Sequence, residues 1–297
     1  MLAGTRRQRR ARRSWTQLRN RPWGHLRHTA RNQTKSPAKN PAVSALARAG
    51  LAARGVMYLL IGIIAVQIAL GSSRQQADRT GAVRLVAATP FGSLLLWLLA
   101  IGFAALALWQ LSWAVWGSPE AGGRKPRARV MALVKAVFYA VVAFSVFKYA
   151  LGLGAPASSD QQSQDLTAKA MQAPGGQAIV AIAGIVVAGV GLYLAYQAWQ
   201  KRFAKNLRMR SASPGTRKTV LWLGRAGGIA RGVVAITAGV FLVVAAADAN
   251  PGQAKGVDSA LRALAHTPLG PVLLILVALG LVTFGGYSWC EARWRDV

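Results

Sequence analysis

Residues 48–56 read RAGLAARGV and residues 225–233 read RAGGIARGV, and the two stretches are identical at seven of nine positions. Between them, Arg129 and Lys135 repeat the spacing of six residues that separates the two arginines of each stretch. Self-similarity of this kind indicates an internal repeat, and it constrains the architecture before any single element is assigned. The chain is therefore predicted to hold three copies of one unit, with a period of roughly 80–95 residues.

A second pattern marks the middle of each copy. Pro90, Pro174 and Pro268 are each followed two residues later by a glycine and nineteen residues later by an aromatic residue. Proline is favoured at a helix start because its fixed φ suits the first turn. Each copy is therefore predicted to contain two helices, the second of which begins beside the proline.

Six apolar runs follow from this pairing, separated by short polar segments. They cover residues 53–70, 91–116, 130–151, 177–199, 229–247 and 269–290. A helix needs about 20 mostly apolar residues to cross a bilayer, and helices satisfy their own backbone there. The strands of a membrane barrel would alternate in polarity over about 10 residues, and these runs do not. The sequence predicts an all-α polytopic membrane protein with six transmembrane helices.

The number of helices in each copy also fixes how the copies relate to one another. Two helices are an even number, so every copy enters the membrane from the same side. The repeats are therefore parallel, and a pseudo-threefold axis along the membrane normal is their simplest arrangement. The predicted divisions are a tail at 1–44 and repeats at 45–117, 126–200 and 222–294.

The predicted tail is strongly basic. Residues 1–40 contain twelve Lys and Arg residues and no Asp or Glu, with few apolar side chains, which is typical of a disordered segment. Contact with anionic lipid, non-specific nucleic-acid binding with Trp15 and Trp23 as stacking platforms, and docking to a protein all fit such a tail. A topology-setting extension fits as well, and we do not expect nucleic acid to be the partner.

The net charge of +29 and the hydrophobic share of 53% are segregated along the chain. The tail and the loops on its side of the membrane carry most of the bases, and the other loops carry few. By the positive-inside rule the tail side is cytoplasmic, and both termini lie there. The charge is therefore interpreted mainly as an orientation signal in a plasma (inner) membrane protein.

The Arg-Ala-Gly-x-x-Ala-Arg-Gly-Val unit, the Pro-x-Gly helix start and the three two-span units resemble a family of bacterial membrane proteins. That family is catalogued as domain of unknown function 1206, and the resemblance covers about residues 46–290. It implies a bacterial integral membrane protein, and it supplies no reaction, substrate or site. The middle copy departs from the pattern, with Met131 and Ala136 at the two glycine positions of the unit.

The residues that carry most enzyme chemistry lie outside the predicted spans. The eight acidic residues fall in loops or at span ends, and His25, His28 and His266 lie outside the spans. Motifs for phosphate cradles, nucleophile elbows and zinc hydrolases are absent from the sequence. The single cysteine, Cys290, excludes a disulfide scaffold. We therefore expect a non-enzymatic protein with no cofactor and no metal.

Basic residues at the membrane edge are the clearest candidates for a binding site. A threefold arrangement would place six of them in a ring on the cytoplasmic side: Arg48, Arg54, Arg129, Lys135, Arg225 and Arg231. Such bases commonly snorkel and set topology. A basic pocket between helices also binds acidic lipid headgroups, and an anionic solute is a third alternative. Gly55 and Gly232, beside two of these bases, would allow close approach of a neighbouring helix or a ligand.

These observations favour a membrane structural or interaction protein whose basic cytoplasmic face contacts anionic lipids. The alternative is a small channel or transporter with a path along the repeat axis, for which Gln67 and Lys148 are candidate lining residues. Small residues on the fourth span predict close packing inside the bundle or between subunits: Gly184, Ala188, Gly191 and Ala195. A homo-oligomer and a membrane-protein partner therefore both stay open.

Overall fold

The computed structural model describes residues 41–72, 75–117, 125–154, 157–207, 209, 212–265 and 269–295, without the side chains of 41–43 and 205–206. Most of the predicted tail and all three histidines lie outside these residues. Nine α-helices occur within the described ranges, which contain no β-strand. They are α1 (Pro41–Ala69), α2 (Arg79–Ala87), α3 (Gly92–Trp116), α4 (Pro126–Ala150), α5 (Ser159–Met171), α6 (Gly176–Trp199), α7 (Pro214–Ala247), α8 (Val257–Ala265) and α9 (Gly270–Trp294).

Six of these helices are long and apolar enough to cross a membrane, which confirms the predicted number of spans. They are α1, α3, α4, α6, α7 and α9, and they form three pairs along the chain. The short helices α2, α5 and α8 lie in the connections inside the three pairs. We call the end of the bundle that carries these short helices the cap face. The basic face is the opposite end, where α1, α4 and α7 begin.

Two of the spans begin earlier than the apolar runs suggested. Helix α1 begins at Pro41, inside the segment predicted as tail, and α7 begins at Pro214, 15 residues before the predicted run at 229. Arginine and lysine are good helix formers, so a helix continues through basic residues that a hydropathy window excludes. Ser213 also fixes the start of α7, because its side chain accepts a hydrogen bond from the Thr216 amide at 3.2 Å.

Successive contacts link the spans in the order α4, α3, α1, α9, α7 and α6, with helices of neighbouring repeats in the most extensive contacts. Helix α1 packs against α3 and α9, α3 packs against α4, and α9 packs against α7, which packs against α6. The two spans of the middle repeat, α4 and α6, are not among the extensively packed pairs of described helices. We call the interval between them the seam. In keeping with this position, only 28% of the apolar window of α4 and 17% of that of α6 are buried.

Small residues set the helix contacts inside the first and third repeats. A Cβ atom built on Gly102 of α3 would lie 2.5 Å from the Ala53 Cβ of α1. The same construction on Gly280 of α9 would lie 2.4 Å from the Ala230 Cβ of α7. Since real Cβ atoms do not approach this closely, the two equivalent contacts need glycine, and they show that the repeated sequence encodes a repeated helix crossing.

The glycines beside the predicted bases make contacts between repeats. Gly55 of α1 meets Gly285 of α9, and Gly232 of α7 meets Gly191 of α6. A Cβ on either member of these pairs would lie 2.7–2.9 Å from the carbonyl oxygen of the other. The close approach predicted for these glycines is therefore to a neighbouring helix. The small-residue stripe of α6 packs inside the chain against α7.

Three aspartates of the cap face, one in each repeat, form a closed cycle of hydrogen bonds in which each accepts from a backbone amide of another repeat. The Asp78 carboxylate in the first repeat accepts a hydrogen bond from the Ser159 amide of the second at 2.7 Å. Asp160 accepts from the Gly256 amide of the third repeat at 2.7 Å, and Asp258 accepts from the Ala77 amide of the first at 2.7 Å. Charged acceptors make stronger hydrogen bonds than neutral ones. The cycle therefore joins all three repeats, including the middle one whose spans stand apart.

Candidate functional site

A buried carboxylate lies near the basic face, where the first and third repeats meet. Glu291, in the last turn of α9, is 6% exposed. Arg54 Nη2 of α1 donates to its Oε2, and Arg295 Nη1 donates to its Oε1. Arg54 Nε also donates to the Ser288 hydroxyl at 3.3 Å. Both oxygens of the only described carboxylate of the basic face are therefore bonded to guanidinium groups.

A third arginine approaches this carboxylate from α7. The guanidinium carbon of Arg231 lies 4.3 Å from the centre of the Phe284 ring and 5.2 Å from that of the Tyr58 ring. Arg54 lies over the same Phe284 ring at 5.3 Å, and Arg231 interacts electrostatically with Glu291. We call Arg54, Arg231 and Arg295 the arginine cluster. Because arginine stays protonated in proteins, three positive charges of the described residues surround the Glu291 carboxylate.

The other predicted ring residues do not join this cluster. Arg48 and Lys135 are exposed. Arg129 donates to the carbonyl oxygens of Ala114, at 2.8 Å, and Val115 at the end of α3. Arg225 stacks on Trp199 of α6, 3.9 Å from the ring centre. The structure therefore brings two of the six candidates together, Arg54 and Arg231, and leaves the other four at separate positions on α1, α4 and α7.

Helix geometry explains why a fixed spacing of six does not make one ring. Successive residues turn by about 100° around an α-helix, so positions six apart point about 120° away from each other. Arg48 is therefore exposed while Arg54, on another face of α1, is largely buried with 13% of its side chain accessible. The two bases of the first repeat, Arg48 and Arg54, therefore have different surroundings.

Sequence reasoning missed the aromatic residues of this region. Tyr58 and Tyr139 each lie four residues after a predicted base, Arg54 and Lys135, and so one helical turn away on the same face. Tyr58 packs edge-on against Phe284, with the ring centres 4.7 Å apart. Tyr139 interacts electrostatically with Arg54. The base-x-x-x-Tyr spacing in two of the three repeats was the available signal.

Arg79 is a further base that the sequence did not single out. It lies at the start of α2 on the cap face, yet its guanidinium carbon reaches to 4.9 Å from the centre of the Phe138 ring on α4. It also interacts electrostatically with Tyr58. Burial lowers the pKa of Arg79, because desolvation disfavours its charged form. Arginine is nevertheless a cation at any physiological pH.

The described residues contain no group of three or more His, Cys, Asp and Glu side chains that could hold a metal ion. The three histidines of the chain, His25, His28 and His266, lie outside the described ranges. Three of the described acids hold the cap face together and a fourth is bonded to the arginine cluster. The groups that remain for binding in the described part of the bundle are arginine side chains, which donate hydrogen bonds and lie beside aromatic rings.

Known proteins place this bundle in a family. The chain is 29% identical over 255 residues to an uncharacterized protein, YxxB, of Bacillus subtilis (strain 168), and the match covers 84% of this chain and 90% of that protein. No solved structure matches the chain. The family model described as Domain of Unknown Function (DUF1206) matches three times, at residues 49–117, 130–201 and 226–295. The chain therefore belongs to the DUF1206 family.

Proposed function

We propose that this protein is a non-enzymatic membrane protein whose basic face binds anionic lipid headgroups. The observation that carries the proposal is a set of exposed bases at the basic-face ends of the helices, which includes Arg48, Lys125, Arg127, Lys201 and Lys218. The described carboxylate of this face, Glu291, is already bonded to Arg54 and Arg295. The exposed bases are thus available to anions from outside the chain.

Tryptophans accompany these bases. Trp116, Trp199 and Trp222 lie near the basic-face ends of α3, α6 and α7, and each is more than 60% exposed. Indole rings favour the headgroup level of a membrane. Each lysine or arginine near an anionic membrane surface strengthens the binding of the protein to that surface by about 1 kcal/mol. The exposed bases and tryptophans at the basic-face ends of the helices therefore suit contact with anionic lipid headgroups.

The location is part of the same proposal. The excess of bases on the basic face favours a cytoplasmic position for that face, in the inner membrane of a bacterium, with both chain termini on the cytoplasmic side. The membrane partners would be anionic lipids, and a second copy of the chain or another membrane protein could share the face. Nucleic acid is not part of the proposal.

The state of the acidic residues supports a role other than catalysis. Asp78, Asp160 and Asp258 accept hydrogen bonds from backbone amides of neighbouring repeats, and Glu291 is paired with arginines. A general acid or base needs a carboxylate that can exchange a proton with a substrate. These four carboxylates are engaged in holding the bundle together.

A matched pair of double variants tests lipid binding. The full chain would be purified in nanodiscs of phosphatidylcholine with phosphatidylglycerol, and the retained lipid would be measured by native mass spectrometry. We expect Lys125→Gln with Lys218→Gln to reduce retained phosphatidylglycerol. The control, Arg84→Gln with Lys169→Gln, removes the same charge from exposed residues of the cap face and should change it little. Equal retention in the two double variants would contradict the proposal.

The second candidate is a small channel or transporter along the repeat axis. The position of Arg231 inside the bundle favours it, since ionisable groups within membranes often mark ion pathways. Apolar side chains fill the cap-side half of the bundle, among them Ile64, Val83 and Val146, and Lys148 is exposed at the end of α4. We therefore place binding before conduction. A phosphate or chloride flux in proteoliposomes above that of protein-free vesicles would reverse this order.

A further inference from the structure

Hydrogen-bond donors from three helices meet around Tyr58. Arg231 of α7 lies 5.2 Å from the Tyr58 ring centre, measured from its guanidinium carbon. Arg79 of α2 approaches from the cap face and interacts electrostatically with Tyr58. Phe284 of α9 and Phe138 of α4 lie beneath the two guanidinium groups, at 4.3 and 4.9 Å. Two cations and a hydroxyl therefore share one region within the helix bundle.

No described residue accepts a hydrogen bond from the side chain of Tyr58, Arg79 or Arg231. The oxygens of Glu291 are bonded to Arg54 and Arg295. The carboxylate next in sequence to Arg79, that of Asp78, accepts instead from the Gly81 amide at 3.0 Å and the Ser159 amide at 2.7 Å. The hydrogen bonds of the nearby carboxylates are thus made with other donors, and Arg231 and Arg79 interact with Glu291 and Asp78 only electrostatically.

The donor atoms of these three side chains are not fully enclosed by the described part of the chain. The described residues contain a few fully buried polar atoms that lack a hydrogen-bond partner, and no atom of Tyr58, Arg79 or Arg231 is among them. Guanidinium groups in apolar surroundings need either an acceptor or water, because their hydration is lost otherwise. Aromatic rings offset part of this loss through cation–π contact but accept no conventional hydrogen bond. The arrangement is that of a site with its donors in place and its acceptor supplied from outside the chain.

The seam provides a route to this region. Lys135 and Phe138, three residues apart on α4 and therefore on adjoining turns of one helix face, are both exposed. Phe138 is the residue that Arg79 covers. Phe138 is half exposed, and α4 and α6 do not pack extensively against each other within the described residues, so this face of α4 is accessible. An anion can therefore approach Arg79 from this side of the bundle.

We propose that Arg231, Arg79 and Tyr58 bind one phosphate-type oxyanion inside the bundle. Guanidinium groups match the oxygen pairs of phosphate by forked hydrogen bonds, and a tetrahedral oxyanion offers oxygens to donors on several sides. The oxyanion is either inorganic phosphate or the phosphodiester of a lipid headgroup that enters through the seam. This site lies within the bundle and is distinct from the exposed bases in the proposed function.

Binding to the purified full chain tests the site. Sodium phosphate would be titrated by calorimetry at constant ionic strength, and retained phosphatidylglycerol and phosphatidylcholine would be compared by native mass spectrometry in nanodiscs. We expect saturable phosphate binding, selective retention of phosphatidylglycerol, or both, and the arm that responds identifies the source of the oxyanion. Wild-type protein that shows neither would overturn the proposal.

Variants then assign the binding to the three residues. Arg231→Gln and Arg79→Gln should each weaken binding about tenfold or more, and Tyr58→Phe about threefold, as expected for the loss of charged and neutral hydrogen bonds. Arg84→Gln, an exposed base on the same short helix as Arg79, is the matched control and should bind like wild type. Binding by Arg231→Gln and Arg79→Gln equal to that of this control would overturn the proposal.

Two further measurements keep the test decisive. If Arg231→Gln does not fold, Arg79→Gln and Tyr58→Phe are judged by the same criterion, since the latter keeps the aromatic ring. The basic-face variant Lys125→Gln with Lys218→Gln should leave phosphate binding unchanged. A loss of phosphate binding in that variant would move the site to the exposed bases and overturn the proposal. Failure of the internal site and failure of the basic-face function are thereby distinguished.

Discussion

Arg54 of the first repeat donates a hydrogen bond to Glu291 of the third, across 237 positions of sequence. Glu291 lies 23 residues after Pro268, and the corresponding positions after Pro90 and Pro174 hold Trp113 and Gln197. The charge pair is therefore specific to one of the three repeat interfaces. It joins α1 to α9, the helices that begin and end the bundle, and so fixes one junction of an otherwise repetitive structure.

Removal of either partner should destabilise the protein. Breaking a buried ion pair leaves an uncompensated charge and typically costs about 3–5 kcal/mol. We expect Glu291→Gln and Arg54→Gln each to lower the thermal unfolding midpoint of the purified chain by several degrees. Arg293→Gln, an exposed arginine two residues from Glu291, is the control and should shift it little. Equal midpoints for Glu291→Gln and Arg293→Gln would show that the pair contributes nothing to stability.

The contact between α6 and α7 gives a second prediction, based on two glycines of one helix. A Cβ on Gly191 would lie 2.7 Å from the Gly232 carbonyl oxygen, whereas a Cβ on Gly189 would meet nothing within 4 Å. Gly191→Ala forces two backbones apart and should cost about 1–3 kcal/mol. Gly189→Ala adds the same methyl group at an open position and should be neutral or slightly stabilising, as alanine favours helix. Denaturant unfolding of both variants in detergent measures the difference, and a reversed order would contradict the packing.

The cap face gives a third prediction. Asparagine in place of Asp78, Asp160 or Asp258 removes the charge and sets an NH₂ group beside a backbone amide donor. Each Asp→Asn variant should lose about 1–3 kcal/mol of stability and expose the cap loops to faster hydrogen exchange. Asp165→Asn, an exposed aspartate on α5, is the control. Unchanged exchange in Gly256 after Asp160→Asn would exclude the cycle as a stabilising element.

The number and pairing of the spans could be predicted because long apolar runs and a repeated unit are local properties of the sequence. The aspartate cycle could not. Asp78 precedes Pro90 by twelve residues, whereas Asp160 and Asp258 precede their prolines by fourteen and ten. No fixed spacing marks the three as equivalent, since they bond across repeats to backbone amides. Their equivalence exists only in three dimensions.

The candidate site was predicted in part for a related reason. Sequence spacing located Arg54 and Arg231, which do converge, but spacing alone does not say which face of a helix turns inward. Arg79 was invisible because it comes from a short cap helix and reaches along the bundle to Phe138. The seam was also invisible, because apolar residues of α4 and α6 read the same whether they face lipid or a neighbouring helix.

Membrane orientation provides the final prediction. Because cytoplasmic loops carry an excess of lysine and arginine, the basic face should be cytoplasmic and the cap face external. In a Cys290→Ser background, Lys218→Cys and Lys169→Cys would each place one cysteine at an exposed position, on the basic face and the cap face respectively. A membrane-impermeant maleimide should label the cap-face cysteine in intact spheroplasts and the basic-face cysteine only after permeabilisation. The reverse labelling pattern would show that the basic face is external and the cap face cytoplasmic. The exposed bases would then lie at the outer leaflet, and not at the cytoplasmic leaflet on which the proposed lipid binding depends.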